Sequence, residues 1–369
     1  MTETPSDTLV AVGDVMLDSS LKRDFVSEFG SEDPVILGNL ELPLTSSGPP
    51  ADKPIVFKSS PELAPQLRQA GFSILSVANN HALDYGIEGL SSTLQALRSN
   101  SISVIGSGSD LAEALRPRFR KIGGCRVGFQ GFSSTLPTGS PATERRPGIA
   151  PLRVRSSFVI DGTLNEEQPG TSPYVSTRVE EKDLHQALEA VKDAKRKCDL
   201  LILSIHWGVP PEWIAPAQGI LAEYQRPLAH KLLEAGVDVI AGHHPHVVQG
   251  VEIYKGKPIF YSLGNFLFHA FGEGEEVQYN RPIPYKMENV DNPEVRDSFV
   301  VRLRLENTED RSMVKDISLT PFHLDQDGEP VKSSPDRACG TMERVKRHSK
   351  LLGTELQLAE NGVGKLPAL

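Results

Sequence analysis

Residues 237–250, VDVIAGHHPHVVQG, set the reading of the whole chain. A short apolar run, Val237–Ala241, ends in Gly242 and then in His243, His244 and His246. The chain has ten histidines in 369 residues, and three of them fall within four positions. Scattered surface histidines do not cluster this tightly. An apolar run of five residues closed by glycine reads as a buried strand. Alternate positions of an extended turn, His244 and His246, then send two ring nitrogens to one side.

The same pattern recurs outward from this stretch. Thr8–Val12 runs into Gly13–Asp14–Val15–Met16, and Val35–Leu37 leads through Gly38–Asn39 to Leu40–Glu41. Ile74–Val77 runs into Ala78–Asn79–Asn80–His81, and Leu200–Ile205 into His206–Trp207–Gly208. Pro258–Leu263 runs into Gly264–Asn265–Phe266, while Arg126–Gln130 is a further apolar run. Helical patterns fall between some of these runs. Pro61–Ala70 has proline in its first turn. Leu90–Ser99, Glu181–Lys197 and Gln218–Ala235 place apolar residues at helical spacing. Strands alternating with helices predict an α/β fold with a largely parallel sheet. In such sheets ligands gather outside the carboxyl ends of the strands. Polar residues spread in sequence from Asp14 to Asn265 are therefore expected on one surface.

Each signal alone has a bland reading. Gly-Asp after a strand is equally a turn, Asn80–His81 can be a capping pair, and His206 can be a buried histidine bonded to a carbonyl. Their joint occurrence at successive strand ends points to a metal site. Carboxylates and imidazoles without a thiolate suit Mn²⁺, Zn²⁺ or Fe²⁺.

Bulk properties narrow the function further. The formal net charge is −9, which argues against nucleic-acid binding or broad attachment to anionic membranes. The start of the chain lacks a basic segment followed by an apolar one. No apolar run approaches the roughly 18–20 residues needed to cross a bilayer. The expectation is a cytoplasmic protein with no integral membrane anchor. Cys125, Cys198 and Cys339 are isolated and include no CxxC pair, so reduced thiols are expected rather than a disulfide framework or a cysteine zinc site. One domain is expected over residues 8–325, with insertions near 133–176 and 272–297, loops long enough to be either disordered or lids over a site. Ser298–Leu305 reads as a half-exposed strand with Met313–Leu319 as its partner. Residues 326–369 read as a C-terminal extension, a short helix followed by a weakly ordered tail.

Taken in order, GDVM, GNLE, ANNHALDYG, HWG, GHHPHVVQG and SLGNF resemble the CapA/PgsA family, the poly-γ-glutamate capsule synthesis (PGA_cap) proteins. That family is similar to the calcineurin-like metallophosphoesterases. The resemblance spans about residues 8–268. It implies the layered α/β metallophosphoesterase fold, with the active site at the carboxyl ends of strands. It places Asp14 and His246 on a first metal, Glu41 as the bridging carboxylate, and Asn80, His206 and His244 on a second. His81 corresponds to the acid that protonates the leaving group. Asp84 either orients His81 or starts a helix. Asn265 lies near the site and is expected to contact substrate, and His243 matches no ligand of the wider group and is read as standing behind the ligands.

One departure stands out. The wider group has Asp-x-His where this chain has Asp14-Val15-Met16, and a thioether is a poor ligand for a hard dication. The Asp14 side is left one donor short, so one or two ions are expected, and Asp18 is near enough in sequence to compensate. The Arg145–Arg146 pair is either a clamp for a substrate carboxylate or phosphate or a solvated loop pair. Trp207 either stacks on a substrate or packs its loop.

The resemblance implies a metal-dependent hydrolase using a metal-activated water on a phosphoester or an amide, γ-glutamyl amides included. Its substrate would be a small molecule or peptide-like. The alternative is a non-catalytic accessory protein for capsule biosynthesis or export. The sequence leaves the oligomeric state open.

Overall fold

Alternation along the strand Leu200–His206 places the layers. Leu201, Leu203 and Ile205 join one apolar cluster, and Leu200 and Ile202 join another on the opposite face. A period of two with both faces apolar means a strand buried on both sides. The computed structural model describes residues 7–23, 26–29, 34–209, 220–269, 293–307 and 312–366.

In chain order the main strands begin with β1 (Thr8–Met16), β2 (Val35–Leu40), β3 (Phe72–Ser76) and β4 (Ser103–Ile105). They continue with β5 (Arg118–Ile122), β6 (Cys125–Ser133), β7 (Leu200–His206) and β8 (Val239–His243). Then come β9 (Val251–Tyr254), β10 (Lys257–Phe260), β11 (Asn265–Phe268), β12 (Asp297–Asn307) and β13 (Ser312–Leu324). The main helices are α1 (Ala64–Gln69), α2 (Gly86–Ser99), α3 (Glu181–Lys195), α4 (Gln225–Ala235) and α5 (Pro335–Leu351).

Two sheets result. In the first, β13-β12-β1-β2-β3-β4 lie side by side, and β1 to β4 run parallel. In the second the order is β9-β10-β8-β7-β6-β5, with β10, β8, β7 and β6 parallel. Leu9, Ala11, Leu37 and Ile74 of the first sheet share a core with Val127, Phe129, Ile202 and Val239 of the second. The outer face of the first sheet is covered by α1 and α2 through Leu67, Leu90 and Leu97. The outer face of the second is covered by α3 and α4 through Ala187, Val191, Leu228 and Leu232. The fold is thus a layered α/β sandwich, helix on sheet on sheet on helix.

The edge of β1 changes partner halfway along. Residues Thr8–Ala11 pair antiparallel with β12, and Asp14–Met16 pair parallel with β11. At the handover the Asp14 N–H donates to Gly264 O at 3.0 Å. Gly13 permits this approach, since a Cβ there would lie 1.9 Å from Gly264 O. Gly264 itself sits at φ +76°, a conformation glycine adopts without strain.

Several expectations shift. The strands at 35–37, 126–130 and 298–305 run longer than the apolar pattern suggested, because pairing continues past the last apolar residue. The partner strand read at 313–319 pairs antiparallel with β12. Helix α2 begins at Gly86, before its apolar pattern starts, and α4 begins only at Gln225. The helix expected after 326 forms as α5, 17 residues long, and the chain beyond it pairs as strands among the described residues up to 366. Helix α5 buries Ala338, Met342 and Val345, and the short strands Gln357–Leu358 and Gly364–Lys365 extend the β13 edge. Within 133–176, strand Val154–Val159 and the partner Tyr174–Val179 form a hairpin with Phe158 exposed at 79%. Residues 272–292 of the second expected insertion lie outside the described residues. Among the described residues no helix is long and apolar enough to cross a membrane. The three cysteines are free.

The handover at Gly13 supplies a test. Gly13→Ala should destabilise the fold by about 1–3 kcal/mol, the usual cost of forcing atoms into a packed interior. A urea midpoint unchanged from the parent chain would show that β1 and the Gly264 turn can separate freely.

Candidate metal centre

Both sheets point the carboxyl ends of their parallel strands to one rim. β1 delivers Asp14, and the turn after β2 delivers Glu41, whose N–H donates to Val15 O at 2.8 Å. The turn after β3 delivers Asn79, Asn80 and His81. From the second sheet, β7 ends in His206 and β8 in His243, which are register partners. The chain then turns through His244 and His246 at φ +96° and +55°. The extended turn expected from the sequence is therefore not what forms. Both histidines occupy the left-handed region, which costs a side-chain-bearing residue about 1–3 kcal/mol and is found where function fixes the backbone.

Two donor sets meet here. One is Asp14, Glu41 and His246, the other Glu41, His206 and His244, and within each set the ligand atoms lie within 4.8 Å of one another. All of these side chains are buried. His206 Nε2 and His246 Nε2 lie 3.5 and 3.6 Å from Glu41 Oε1, and His246 Nδ1 lies 3.5 Å from Asp14 Oδ2. The His206 and His244 rings are 4.5 Å apart. Asn80 Oδ1 lies 2.7 Å from His206 Nε2, so it joins the His206 side. Both Glu41 carboxylate oxygens and His244 Nδ1 are buried without a hydrogen-bond partner. Orphaned buried oxygens and a buried lone pair facing one another are costly unless a cation satisfies them. With oxygen and nitrogen donors and no thiolate, the residues could hold a divalent metal ion.

The electrostatics run the same way. Burial and the neighbouring Asp14 charge push the Glu41 carboxyl well above the ordinary carboxylate range. Burial also works against ionised Asp14, but the His243 hydrogen bond and charge, with His246 and Asn39, outweigh it and hold that carboxyl below its usual range. Burial lowers His206 far below an ordinary histidine, lowers His246, and takes His244 down to about 3. The three imidazoles are thus neutral, the form that binds metal.

Around the donors stand residues that hold them. His243 Nδ1 is 3.3 Å from Asp14 Oδ1, and the His244 N–H donates to Asp14 Oδ2 at 3.2 Å. Asn39 Nδ2 donates to Asp14 Oδ1 at 2.8 Å and lies 3.2 Å from His206 Nδ1. Asn79 Nδ2 donates in turn to Asn39 Oδ1 and to Leu40 O, and Asn79 Oδ1 accepts from the His81 N–H. His81 is 8% exposed and its ring tilts over Phe57 at 4.7 Å. Its Nδ1 is 2.8 Å from Asp84 Oδ2 and 3.3 Å from Lys53 Nζ. Burial, then the Lys53 charge, push the His81 pKa down against the opposing pull of Asp84. The expected imidazolium is therefore the minority form at neutral pH.

Not every expected residue is brought to the centre. Met16 is buried in the core under the first sheet. Asp18 does not compensate for it, because β1 has ended and its carboxylate is held by His269 Nδ1 at 2.9 Å. Trp207 is fully buried, stacked on Tyr261, and its indole N–H donates to Tyr261 O, so it packs the loop and has no face for a substrate. Asn265 is likewise fully buried. Its Oδ1 lies 2.8 Å from His246 Nδ1 and its Nδ2 donates to Val295 O, so it aims His246 instead of meeting a ligand. Arg146 donates to Gly139 O and Pro141 O and braces its own loop. Arg145 lines a separate cavity of about 340 Å³ with Arg153, Lys182 and Asp183, and none of the metal-donor residues is in that wall. Lys53, Asn39 and Asn79 were missed. The two asparagines adjoin quoted motif residues, but nothing in the sequence around Lys53 sets it apart.

Comparison with known proteins adds a family. A model described as "Bacterial capsule synthesis protein PGA_cap" matches residues 8–270. The PGA biosynthesis protein CapA of Bacillus subtilis (strain 168) is 28% identical over 283 residues, covering 72% of this chain and 65% of that protein. The capsule biosynthesis protein CapA of Bacillus anthracis is 28% identical over 278 residues, covering 71% and 59%. A probable polyglutamine synthesis accessory protein of Mycobacterium tuberculosis is 33% identical over 246 residues, covering 65% and 57%. The chain matches less than two thirds of the length of each of these relatives.

A metal titration tests the site. Burial and the Asp14 charge raise the affinity of the Glu41 carboxyl for a proton, so a dication competes with protons for it. Mn²⁺ binding should release protons, measured by calorimetry in buffers of different ionisation enthalpy, and should weaken as pH falls. His244→Ala should lower metal content by elemental analysis. Binding with no proton release, or full metal content in His244→Ala, would contradict the assignment.

Proposed function

The chain belongs to the bacterial capsule synthesis protein PGA_cap family, and from that premise we propose that it is a metal-dependent hydrolase of a phosphoester or an amide, γ-glutamyl amides included. The observation that carries this reading is the pairing of two donor sets sharing Glu41 with an adjacent His81–Asp84 couple. A site that held metal only for structure has no use for that couple. Asp14, Glu41, Asn80, His206, His244 and His246 would hold one or two divalent ions. Such ions, when bound, supply Lewis-acid charge to a substrate oxygen and acidify water. Asp84 fixes His81 through Nδ1, leaving Nε2 to deliver a proton to the departing oxygen or nitrogen. The substrate would be small or peptide-like, since the centre lies at a rim among buried side chains.

The second reading is an accessory role in polyglutamate synthesis without catalysis. It is favoured by the names of the relatives, one of which is called a synthesis accessory protein. A panel of a phosphodiester, a phosphomonoester and γ-glutamyl amides, each with and without Mn²⁺ or Zn²⁺, separates the two. Hydrolysis of none of them by fully metallated protein would favour the accessory role.

If His81 is the acid, its protonated form carries the reaction. Its pKa is lowered from 6.5, so kcat/KM should climb as pH falls from 7 toward that lowered value. His81→Ala should keep its metal, lose about 10²–10⁴-fold in turnover and lose this limb of the profile. A fully active His81→Ala would remove the residue from the mechanism.

A further inference from the structure

Lys53 belongs to no strand or helix, yet its ammonium reaches the heart of the site. The loop that carries it is tied down on both sides. The Ala51 N–H donates to Asp84 O at 2.7 Å, and the Phe57 N–H donates to Asp84 Oδ2 at 2.7 Å. From this loop Lys53 Nζ lies 2.5 Å from Asp84 Oδ1 and donates to Asn80 O at 2.8 Å. It is 3.3 Å from His81 Nδ1. The Asp84 side chain is fully buried, and its other oxygen serves His81. One carboxylate is therefore shared among an ammonium, an imidazole and a backbone amide.

We propose that Lys53 is a positioning residue, which grips the Asp84 carboxylate and the Asn80 carbonyl together and so fixes the His81 imidazole relative to the Asn80 amide. The His81 half rests on the hydrolase reading above, whereas the Asn80 half does not. Asn80 and His81 are consecutive, and their side chains serve different partners, His206 Nε2 at 2.7 Å and Asp84. The peptide joining them presents the carbonyl that Lys53 holds. A turn of that peptide would swing both side chains at once. An ammonium has three donors and can hold two acceptors together. It has no lone pair, so Lys53 acts through Asp84 and Asn80 and not as a ligand. A buried carboxylate stripped of its cation turns away or takes up a proton, and the imidazole it aimed is released.

The test uses the full chain with Lys53→Met, Lys53→Arg, Asp84→Asn and the Lys53→Met/Asp84→Asn double variant. Calorimetric Mn²⁺ titration, kcat and KM on the best substrate, and melting temperature are read for each. Lys53→Met should weaken Mn²⁺ binding by about 10–100-fold, the usual effect of removing a partner behind a ligand. It should also lower kcat with KM little changed, and Lys53→Arg should recover part of both. The double variant should lose no more kcat than the worse single one, as residues acting in one network do. Unchanged Mn²⁺ affinity and kcat in Lys53→Met would overturn the proposal. So would losses that add in the double variant, or a parent chain that binds no Mn²⁺. If the parent chain binds Mn²⁺ but hydrolyses nothing, the hydrolase reading fails and the Mn²⁺ titration still decides the role of Lys53. Should Lys53→Met not fold, Lys53→Gln carries the same measurements.

Discussion

The structure depends on one unfavourable contact, two carboxylates buried side by side between two sheets. Asp14 and Glu41 are both inaccessible to solvent, and neither Glu41 oxygen finds a hydrogen bond. Uncompensated buried charge is among the costliest features a fold can carry. The surroundings divide the problem unequally. Asp14 is given His243, Asn39 and the His244 N–H, which favour its ionised form. Glu41 is given three imidazole neighbours and the Asp14 charge, and the Lys53 charge only partly offsets its burial. A divalent cation would resolve that imbalance, as would proton uptake by Glu41.

The scaffold is built to hold this contact still. The donors sit at the ends of strands buried on both faces or in the turns that follow them, where packing holds the chain. The handover of the β1 edge from β12 to β11 lets Asp14 turn toward the rim while the chain before it stays paired. The left-handed histidines add local strain, which the rigid strand before them and the Asn265 bond behind them offset. The asparagines Asn39 and Asn79 join the first sheet to the second through Asp14 and His206. Metal, if bound, would meet a site whose shape is already set, which is how positioned groups work in catalysis.

Several roles shifted between sequence and structure. Trp207 follows the candidate donor His206 in sequence, but the pleat turns adjacent residues to opposite faces, and Asn265 meets the site only through the turn that carries His246. The Trp207 ring therefore enters the core under the second sheet, and Asn265 points at the back of His246. Met16 lies past the irregularity in β1 between Asp14 and Val15, and its side chain joins the apolar core beneath α1 and α2. Lys53 shows the converse, a residue with no local signal that becomes central because its loop folds back onto the turn after β3.

The sequence by itself determined the order of elements and the candidates for a donor set. Apolar runs ending in Asp14, Glu41, Asn80, His206 and the 243–246 histidines fixed which residues could share a rim, because parallel strands deliver their ends to one side. Period-two alternation of apolar residues is local, so it survives as a signal in the linear chain. Only the tertiary structure decided which donor faces which, that Glu41 stands in both sets, that the histidine turn is left-handed, and that Lys53, Asn39 and Asn79 hold the site. Those are relations across sheets and loops separated by tens to hundreds of residues. They are set by packing between layers, which no local pattern encodes.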